Sequence, residues 1–205
     1  MPETPYEREV GYALRYRDRR FCEGTGATTD QAEREALRAL LRTCGPVDGP
    51  WLDAPAGAGR MSNELPGPVV QLDRDATMLV AAGPQHARAC GSAHALPFAD
   101  GVFAGALCHR LLQHIPTPVE RIDILRELAR VCRGPIVVSF FDARSLQHVR
   151  RVVRRWFGKK RSGRSAVSRA AFLAECRAAG LEPTAVRALR RFVAEQTLVL
   201  CRRAT

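Results

Sequence analysis

The sequence predicts a single α/β domain in which helices cover a mainly parallel β-sheet. Strand-like apolar segments alternate with amphipathic helical segments along the chain, an order typical of parallel sheets. The length of 205 residues suits one domain. No internal repeat and no linker divides the sequence. We therefore expect residues 1–205 to fold as one unit.

The predicted elements follow from apolar spacing and from the residues that cap helices. Thr29 or Asp30 is the expected N-cap of the first helix, and Gly180 is expected just after the end of the last one. The run PIVVSFF is apolar without interruption, as in strands buried on both faces. In chain order we expect a helix over 31–43, strands over 51–53 and 68–73, a helix over 76–83, strands over 87–90 and 101–108, a helix over 117–132, a strand over 135–141, a helix over 168–179, and strands over 184–189 and 194–202.

Composition and charge narrow the classes of protein. The sequence lacks the run of about 20 apolar residues that spans a bilayer. Its first residues lack the apolar region of a secretory signal, so we expect a cytoplasmic protein. The seven cysteines contain no CxxC pair, and we expect reduced, mostly buried thiols rather than disulfides or a metal site. The net charge of +11 is compatible with a nucleic-acid or anionic-membrane partner but does not by itself predict one.

Two carboxylates and a turn rich in glycine form the main candidate site. Asp53 ends the first predicted strand and Asp73 ends the second. Gly57 and Gly59 lie in the turn after Asp53, where a helix should begin and where small residues let a ligand approach the backbone. Ligands of open α/β sheets bind at the carboxyl ends of strands, and a carboxylate there can accept hydrogen bonds from both ribose hydroxyls. These residues predict a ligand that contains a nucleoside.

The same turn favours a nucleoside without phosphates. A dinucleotide site prefers the spacing G-x-G-x-x-G/A, whereas this chain has Ser62 at the third position. Asp53 would repel a nearby pyrophosphate, but it would suit the α-amino group of S-adenosylmethionine. We therefore favour S-adenosylmethionine over NAD as the cofactor.

Four motifs resemble those of class I S-adenosylmethionine-dependent methyltransferases and follow one another at that family's spacing. They are WLDAPAGAGR, QLDRDATML, GSAHALPFADGVFAGALCHRLLQHI and ILRELARVCRGPIVVSFF. From Trp51 to Phe141 the chain is similar to the small-molecule type of the ubiquinone/menaquinone-biosynthesis group. The resemblance implies a Rossmann-like fold, a mainly parallel seven-stranded sheet with an antiparallel last strand, and methyl transfer from S-adenosylmethionine.

The resemblance also implies roles for individual residues. Those implied to bind the cofactor are Asp53, Ala54, Pro55, Gly57 and Gly59 at the methionine part, Asp73 at the ribose, Arg74, Met78, Ser92 and Ala93 at the adenine, and Cys108 near the sulfonium. Pro55 replaces the family's first glycine, which we expect to be tolerated because that position needs no positive φ. Ser92 replaces an aspartate, and its uncharged hydroxyl would bind the adenine amino group less strongly.

His109 is the candidate catalytic residue. It follows the fourth predicted strand, where an imidazole could serve as general base for O- or N-methylation. The alternative is a hydrogen-bonded residue at a strand end, because methyl transfer to a good nucleophile requires alignment more than a base. We expect His114 to pack rather than to react.

Two segments outside the motifs are expected to contact the substrate. Residues 1–45 are predicted to form a helical cap, either at the sheet edge or over cofactor and substrate. Residues 142–167 are predicted to form a basic, lid-like insertion, in which 144–164 combine basic residues with apolar residues at helical spacing. Three interpretations of 144–164 stay open: a helix packed on the domain, a helix on an anionic membrane, and a contact with nucleic acid or an acidic partner.

Three functions are compatible with the sequence. The first is methyl transfer to a small-molecule or lipid-like acceptor, by in-line attack of an O, N, C or S nucleophile. The second is a non-catalytic protein of the same fold that acts through its basic surface. The third is a nucleic-acid methyltransferase. The third is disfavoured because Cys108-His109-Arg110-Leu111 stands where such enzymes have an Asn/Asp-Pro-Pro-Tyr/Phe motif.

Overall fold

The computed structural model describes residues 13–14, 24–146, 164–189 and 195–204. A seven-stranded sheet with the order β3-β2-β1-β4-β5-β7-β6 forms the centre of the domain. Its first five strands are parallel, and β7 runs antiparallel to β5 and β6. This is the predicted Rossmann-like sheet with its antiparallel last strand. The strands are β1 (Trp51–Asp53), β2 (Val69–Asp73), β3 (Ala87–Cys90), β4 (Gly105–Cys108), β5 (Ile136–Phe141), β6 (Leu181–Ala188) and β7 (Gln196–Arg203).

Helices cover both faces of the sheet in the described part of the chain. Neighbouring strand residues point to opposite faces, so Trp51 and Leu107 pack on α1 whereas Leu52 and Ala106 belong to the cluster that contains α3 and α4. The helices are α1 (Gly24–Arg42), α2 (Ala76–Ala82), α3 (Pro118–Val131) and α4 (Arg169–Ala178), and short 3-10 helices lie at Ser62–Glu64 and Leu112–His114.

Local sequence explains where three of the helices begin. The side chains of Asp75, Thr117 and Ser168 accept hydrogen bonds from backbone N–H groups in the first turns of α2, α3 and α4, which satisfies donors that a helix start leaves open. Pro118 follows Thr117 at the first position of α3, where its missing N–H costs nothing. Gly180, with φ of 77°, follows the end of α4 as predicted.

The beginning of the first helix was predicted wrongly. Helix α1 starts at Gly24, so Thr29 and Asp30 lie inside it rather than at its N-cap. The Gly- and Thr-rich start has low helix propensity, but tertiary contacts override it. Asp30 forms ion pairs with Arg34 and with Arg60 of the glycine-rich turn, which fixes this part of the helix on the domain.

Two further boundaries differ from the prediction. The turn after β1 leads into irregular turns and the short 3-10 helix at Ser62–Glu64, where an α-helix was expected. Strand β4 begins at Gly105 instead of residue 101, because Gly101 has a φ of 64° and Phe103 forms only an isolated bridge with Cys132. Both changes shorten elements without altering the topology.

Parts of two predicted segments lie outside the described residues. Within the cap predicted over 1–45, the structure describes α1 and the pair 13–14, and Ala13 packs against Ala58, Met78 and Ala81. Within the basic insertion, residues 147–163 are outside the described ranges, so the three interpretations of 144–164 stay predictions. Among the described helices, none has the length and apolarity needed to cross a membrane.

The described cysteines confirm the prediction of mostly buried thiols. Cys108, Cys132, Cys176 and Cys201 are buried, Cys44 is half-buried, and Cys90 is exposed.

Candidate functional site

Two neighbouring cavities, of about 440 and 280 Å³, open at the carboxyl ends of the central strands. Pro55, Asp73 and Met78 line both of them. The larger cavity has a volume within the range of small-molecule sites, about 300–1,000 Å³. The predicted residues Asp53, Gly57, Gly59 and His109 line the larger cavity, and Arg74, Ser92 and Ala93 line the smaller one.

Asp73 lies at the boundary between the cavities and has a fixed orientation. Its Oδ2 accepts a 2.8 Å hydrogen bond from the Gly57 N–H, and its Oδ1 accepts a 3.0 Å bond from the Asp75 N–H. Burial raises the pKa of Asp73, while these backbone hydrogen bonds oppose the rise. A diol that lies between the two cavities would therefore meet an oriented acceptor.

Asp53 is almost fully buried at the end of β1. It accepts a 2.6 Å hydrogen bond from the Ser62 hydroxyl, which in turn accepts a 2.8 Å bond from Nε2 of Gln71. Burial raises the pKa of Asp53 to about 7, since a low dielectric disfavours the charged form. A cationic ligand group in the larger cavity would shift Asp53 towards its ionised form.

The backbone conformation favours glycine at both positions of the turn. Gly57 and Gly59 have φ of 55° and 73°, a conformation that costs other residues about 1–2 kcal/mol. A Cβ on Gly59 would lie 2.7 Å from Nε2 of Gln71 and 3.0 Å from Cβ of Ala82. A Cβ on Gly57 would meet only Cε of Met78, at 3.6 Å, so a larger side chain there would occupy cavity space.

Two residues implied by the resemblance do not line either cavity. Ala54 is buried, and its N–H donates a hydrogen bond to the Leu107 carbonyl, which links β1 to β4. Cys108 is also buried, within the apolar cluster below the site, and burial raises the pKa of its thiol to about 12. Both residues lie in the framework behind the cavity wall.

A buried ionic cluster that was not predicted from the sequence lies at the wall of the larger cavity. Glu33 of α1 has no exposed surface. Its Oε1 accepts hydrogen bonds from Nε and Nη2 of Arg110, at 2.8 and 2.5 Å, and its Oε2 accepts one from Nη2 of Arg60, at 2.6 Å. Burial alone would raise the pKa of Glu33, but contacts with His109, Arg110 and Arg60 hold the pKa well below its usual value.

A signal for this cluster is present in the sequence. Glu33 precedes Ala36, Leu37 and Leu40 by three, four and seven residues, which is the spacing of one helix face. A carboxylate on an apolar face must have a partner when it is buried. The basic partners, Arg60 and Arg110, lie in separate loops, so sequence spacing does not identify them.

His109 is the predicted residue that joins this cluster to the cavity. It is 6% exposed and lines the larger cavity. Its Nε2 lies 3.2 Å from Oε2 of Glu33, although the geometry falls short of a well-directed hydrogen bond. Burial lowers the pKa of His109, and the Glu33 carboxylate partly opposes that effect. The net effect favours the neutral imidazole.

Comparisons with known proteins agree with this site. Residues 52–135 match a family model described as a methyltransferase domain. No curated protein matches the chain. The matched residues include β2, β4, most of β1 and the turns between them, which carry the cavity-lining residues other than Asp30 and Arg34 of α1.

Solved structures of methyltransferases share the fold. The magnesium protoporphyrin IX methyltransferase of Synechocystis, solved with bound SAH, is 14% identical, with a TM-score of 0.74 over 96% of this chain and 95% of that chain. A S-adenosylmethionine-dependent methyltransferase from Clostridium acetobutylicum is 11% identical, with a TM-score of 0.69 over 95% and 98%. One from Methanosarcina mazei is 17% identical, with a TM-score of 0.66 over 80% and 97%. At these identities the likeness shows the fold.

The match to the methyltransferase domain supports S-adenosylmethionine as the cofactor, as the sequence predicted. It also supports a methyltransferase at the level of the class. The similarity to the ubiquinone/menaquinone-biosynthesis group stays a prediction.

Proposed function

We propose that this protein is a cytoplasmic S-adenosylmethionine-dependent methyltransferase that acts on a small-molecule or lipid-like acceptor. The observation that carries the proposal is the position of Asp73, an oriented carboxylate shared by two cavities. A ribose bound there would direct its base into one cavity and its 5′ substituent into the other. S-adenosylmethionine has this two-sided shape and carries no phosphate.

The chain's residues fit the cofactor on both sides of Asp73. In the smaller cavity, Arg74, Ser92 and Ala93 would surround the adenine, together with the apolar side chains of Leu111 and Ile115. In the larger cavity, Gly57 leaves room for the methionine part, and Asp53 would face its α-amino group. Ala54 and Cys108 would support this wall from behind rather than contact the ligand.

The acceptor would occupy the rest of the larger cavity, towards α1. Asp30, Arg34, His109 and Arg110 line that side, so the reacting end of the acceptor would meet polar groups. A cavity of this size suits a small molecule, or the head of a lipid, better than a nucleic-acid strand.

The cofactor would supply an electrophilic methyl group on its sulfonium. The chain's part is to bind the cofactor through Asp53 and Asp73, to align the acceptor with the methyl carbon, and to limit access of water. Alignment of two bound reactants contributes much of the acceleration of a transfer reaction. His109 is the proposed catalytic residue where the acceptor must also lose a proton.

The direct test is release of S-adenosylhomocysteine from S-adenosylmethionine in the presence of acceptor panels. Phenols, amines, thiols, fatty acids and RNA should be compared with the full-length protein. Product formed with one of the small acceptors supports the proposal. Turnover with RNA alone would favour a nucleic-acid methyltransferase, and cofactor binding without turnover on any acceptor would favour a non-catalytic role through the basic surface.

A separate proposal is that the basic residues of 144–164 bind a partner. Their charge is suited to phosphate groups of lipids or nucleic acids. An electrophoretic shift with RNA at rising salt and cosedimentation with anionic vesicles would distinguish these partners from a helix that packs on the domain.

A further inference from the structure

A chain of two hydrogen bonds runs beneath the turn after β1 and ends at Asp53. Nε2 of Gln71 donates a 2.8 Å hydrogen bond to Oγ of Ser62, and the Ser62 hydroxyl donates a 2.6 Å bond to Oδ2 of Asp53. All three residues are at most 1% exposed. Asp53 and Gln71 are register partners on the parallel strands β1 and β2, so their side chains lie on the same face of the sheet.

The chain of hydrogen bonds has a fixed direction. A hydroxyl has one proton to donate, and an amide nitrogen donates but does not accept. Because Gln71 donates to the Ser62 oxygen, the proton of Ser62 points to Asp53. The reverse orientation of the Gln71 amide would leave two acceptors, its Oε1 and the Asp53 carboxylate, competing for one hydroxyl proton. Gln71 therefore acts on Asp53 through Ser62.

The two oxygens of Asp53 have different surroundings. Ser62 occupies Oδ2, and among the residues that the structure describes no second hydrogen-bond donor contacts this carboxylate. Asp53 also lines the larger cavity. Oδ1 is therefore the oxygen that remains for a ligand, and the contact of Oδ2 with Ser62 fixes the rotation of the carboxylate towards that ligand.

A purely structural role does not explain these polar side chains. Within the described part of the chain, Oε1 of Gln71 is buried without a hydrogen-bond partner, and Asp53 is a buried carboxylate beside one neutral donor. Both features reduce stability. Apolar side chains at positions 62 and 71 would avoid the unpaired amide oxygen. The hydrogen bonds instead hold a carboxylate in one orientation at the wall of a cavity.

We infer that Ser62 and Gln71 are positioning residues for Asp53, and that they direct its second oxygen at the amino group of the cofactor's methionine part. The inference rests on the proposed S-adenosylmethionine site and assigns a role there to two residues that line neither cavity. The pairing of an ammonium group with a carboxylate depends on distance and direction. Ser62 fixes that direction and also stabilises the ionised form of Asp53.

Other groups near Asp53 remain in place when Ser62 is changed. Arg60 favours the ionised form of Asp53, and the negative charge of Asp73 disfavours it. The Cys108 thiol stays protonated, because burial raises its pKa to about 12. Loss of the Ser62 donor should therefore raise the pKa of Asp53 further.

The test is calorimetric titration of the full-length wild type and Ser62→Ala with two ligands. S-adenosylhomocysteine has the amino group, whereas 5′-methylthioadenosine keeps the nucleoside and the thioether but lacks the amino-acid part. Ser62→Ala should bind S-adenosylhomocysteine about 10-fold more weakly and 5′-methylthioadenosine as tightly as the wild type. Its affinity for S-adenosylhomocysteine should also level off at a higher pH than that of the wild type. Equal losses for both ligands, or no loss, would overturn the inference.

Thr197→Val is the matched control, because it removes a buried hydroxyl of β7 that lines neither cavity. It should bind both ligands like the wild type, and a selective loss of S-adenosylhomocysteine binding in this variant would overturn the inference. Gln71→Met should show the selective loss of Ser62→Ala to a smaller extent, and an unselective loss would overturn the role of Gln71. Ser62→Cys, whose thiol is a weak donor, replaces Ser62→Ala if that variant does not fold.

A double variant shows whether Ser62 acts through Asp53. In Asp53→Asn the charge is gone, so adding Ser62→Ala should cause little further loss of affinity for S-adenosylhomocysteine, whereas additive losses would overturn the inference. Failure of the proposed function has a different result. If the wild type binds neither ligand, the cofactor site itself is wrong; if it binds both and Ser62→Ala does not discriminate between them, only the inference fails.

Discussion

The Ser62 hydroxyl donates a 2.6 Å hydrogen bond to the buried carboxylate of Asp53, nine residues earlier in the chain. The short 3-10 helix that begins at Ser62, in the place where the sequence predicted an α-helix after β1, supplies this donor. Burial raises the pKa of Asp53 to about 7, and the hydrogen bond from Ser62 opposes this rise only in part.

The affinity for S-adenosylhomocysteine is expected to depend on pH through Asp53. Below pH 7 the carboxyl is protonated and must lose a proton to pair with the ligand's ammonium group, so affinity should fall by up to about tenfold per pH unit. Above pH 8 it should level off. Calorimetric titrations from pH 5.5 to 8.5 measure this. Asp53→Asn should bind more weakly and without the pH dependence, and an unchanged slope in that variant would assign the titration to another group.

The unfolding free energy of the unliganded protein should change with pH in the opposite direction to the affinity, so that it falls as pH rises. Because the folded pKa of Asp53 lies above its ordinary value of 3.8, its contribution to stability is full below about pH 4 and is lost as pH rises through 7. Denaturant unfolding of wild type and Asp53→Asn at pH 5 and pH 8 tests this. The variant should gain more stability relative to the wild type at pH 8 than at pH 5, because only part of the wild type's loss has occurred by pH 5.

Gly59→Ala should damage the turn more than a matched glycine substitution. Gly59 and Gly101 both have positive φ, 73° and 64°, so each alanine variant carries about 1–2 kcal/mol of backbone strain. Only at Gly59 would the new Cβ also clash, with Gln71 and Ala82, since nothing lies within 4 Å at Gly101. Denaturant unfolding and binding of S-adenosylhomocysteine should both be impaired more in Gly59→Ala. If the two variants lost the same unfolding free energy and the same affinity, the contact of a Cβ at position 59 with Gln71 and Ala82 would have no effect.

Ser92→Asp should strengthen cofactor binding. Ser92 lines the smaller cavity, and its Oγ accepts a hydrogen bond from the His94 N–H. A carboxylate there would give the adenine amino group a charged acceptor, which is stronger by about 1 kcal/mol, or roughly fivefold in affinity. Ser168→Asp, at the N-cap of α4 and away from both cavities, is the control. If Ser92→Asp binds the cofactor no more tightly than the wild type, the adenine does not lie beside residue 92.

The buried ion pair between α3 and α4 should behave as a unit. Arg121 contacts Glu175 through two hydrogen bonds of 2.8 and 2.6 Å. Arg121→Ala should lose about 3–5 kcal/mol of unfolding free energy because Glu175 is left buried and unpaired. The double variant Arg121→Met/Glu175→Leu should be no less stable than that single variant. Additive losses in the double variant would show that the two side chains act independently.

The fold could be predicted from the sequence because strand composition, helix caps and glycine turns act locally. Thr117 before Pro118 and the run of residues 135–141 are examples, and each has the structure that its local pattern indicates. The start of α1 could not be predicted in this way, since its first turns are fixed by Arg60, which lies in another part of the chain.

Part of the candidate site could be predicted because local sequence patterns indicate where the strands end. Asp53, Asp73 and the two glycines follow strands and therefore lie at one sheet edge. The resemblance to methyltransferases implied that Cys108 lies near the sulfonium, yet its side chain lies in the apolar core. The contact of Glu33 with His109 depends on how α1 docks, which spacing along the sequence does not specify.

The most direct test of the account is calorimetric titration of S-adenosylhomocysteine into the wild type, Asp73→Ala and Asp100→Ala. Asp100 is an exposed acid that pairs with Arg130 and lines neither cavity, so its removal controls for loss of charge. We predict micromolar binding to the wild type and to Asp100→Ala. In Asp73→Ala, loss of hydrogen bonds to a charged acceptor should weaken binding by about 10–100-fold. Equal affinity of all three proteins, or no binding to the wild type, would contradict the assignment of this site to the cofactor.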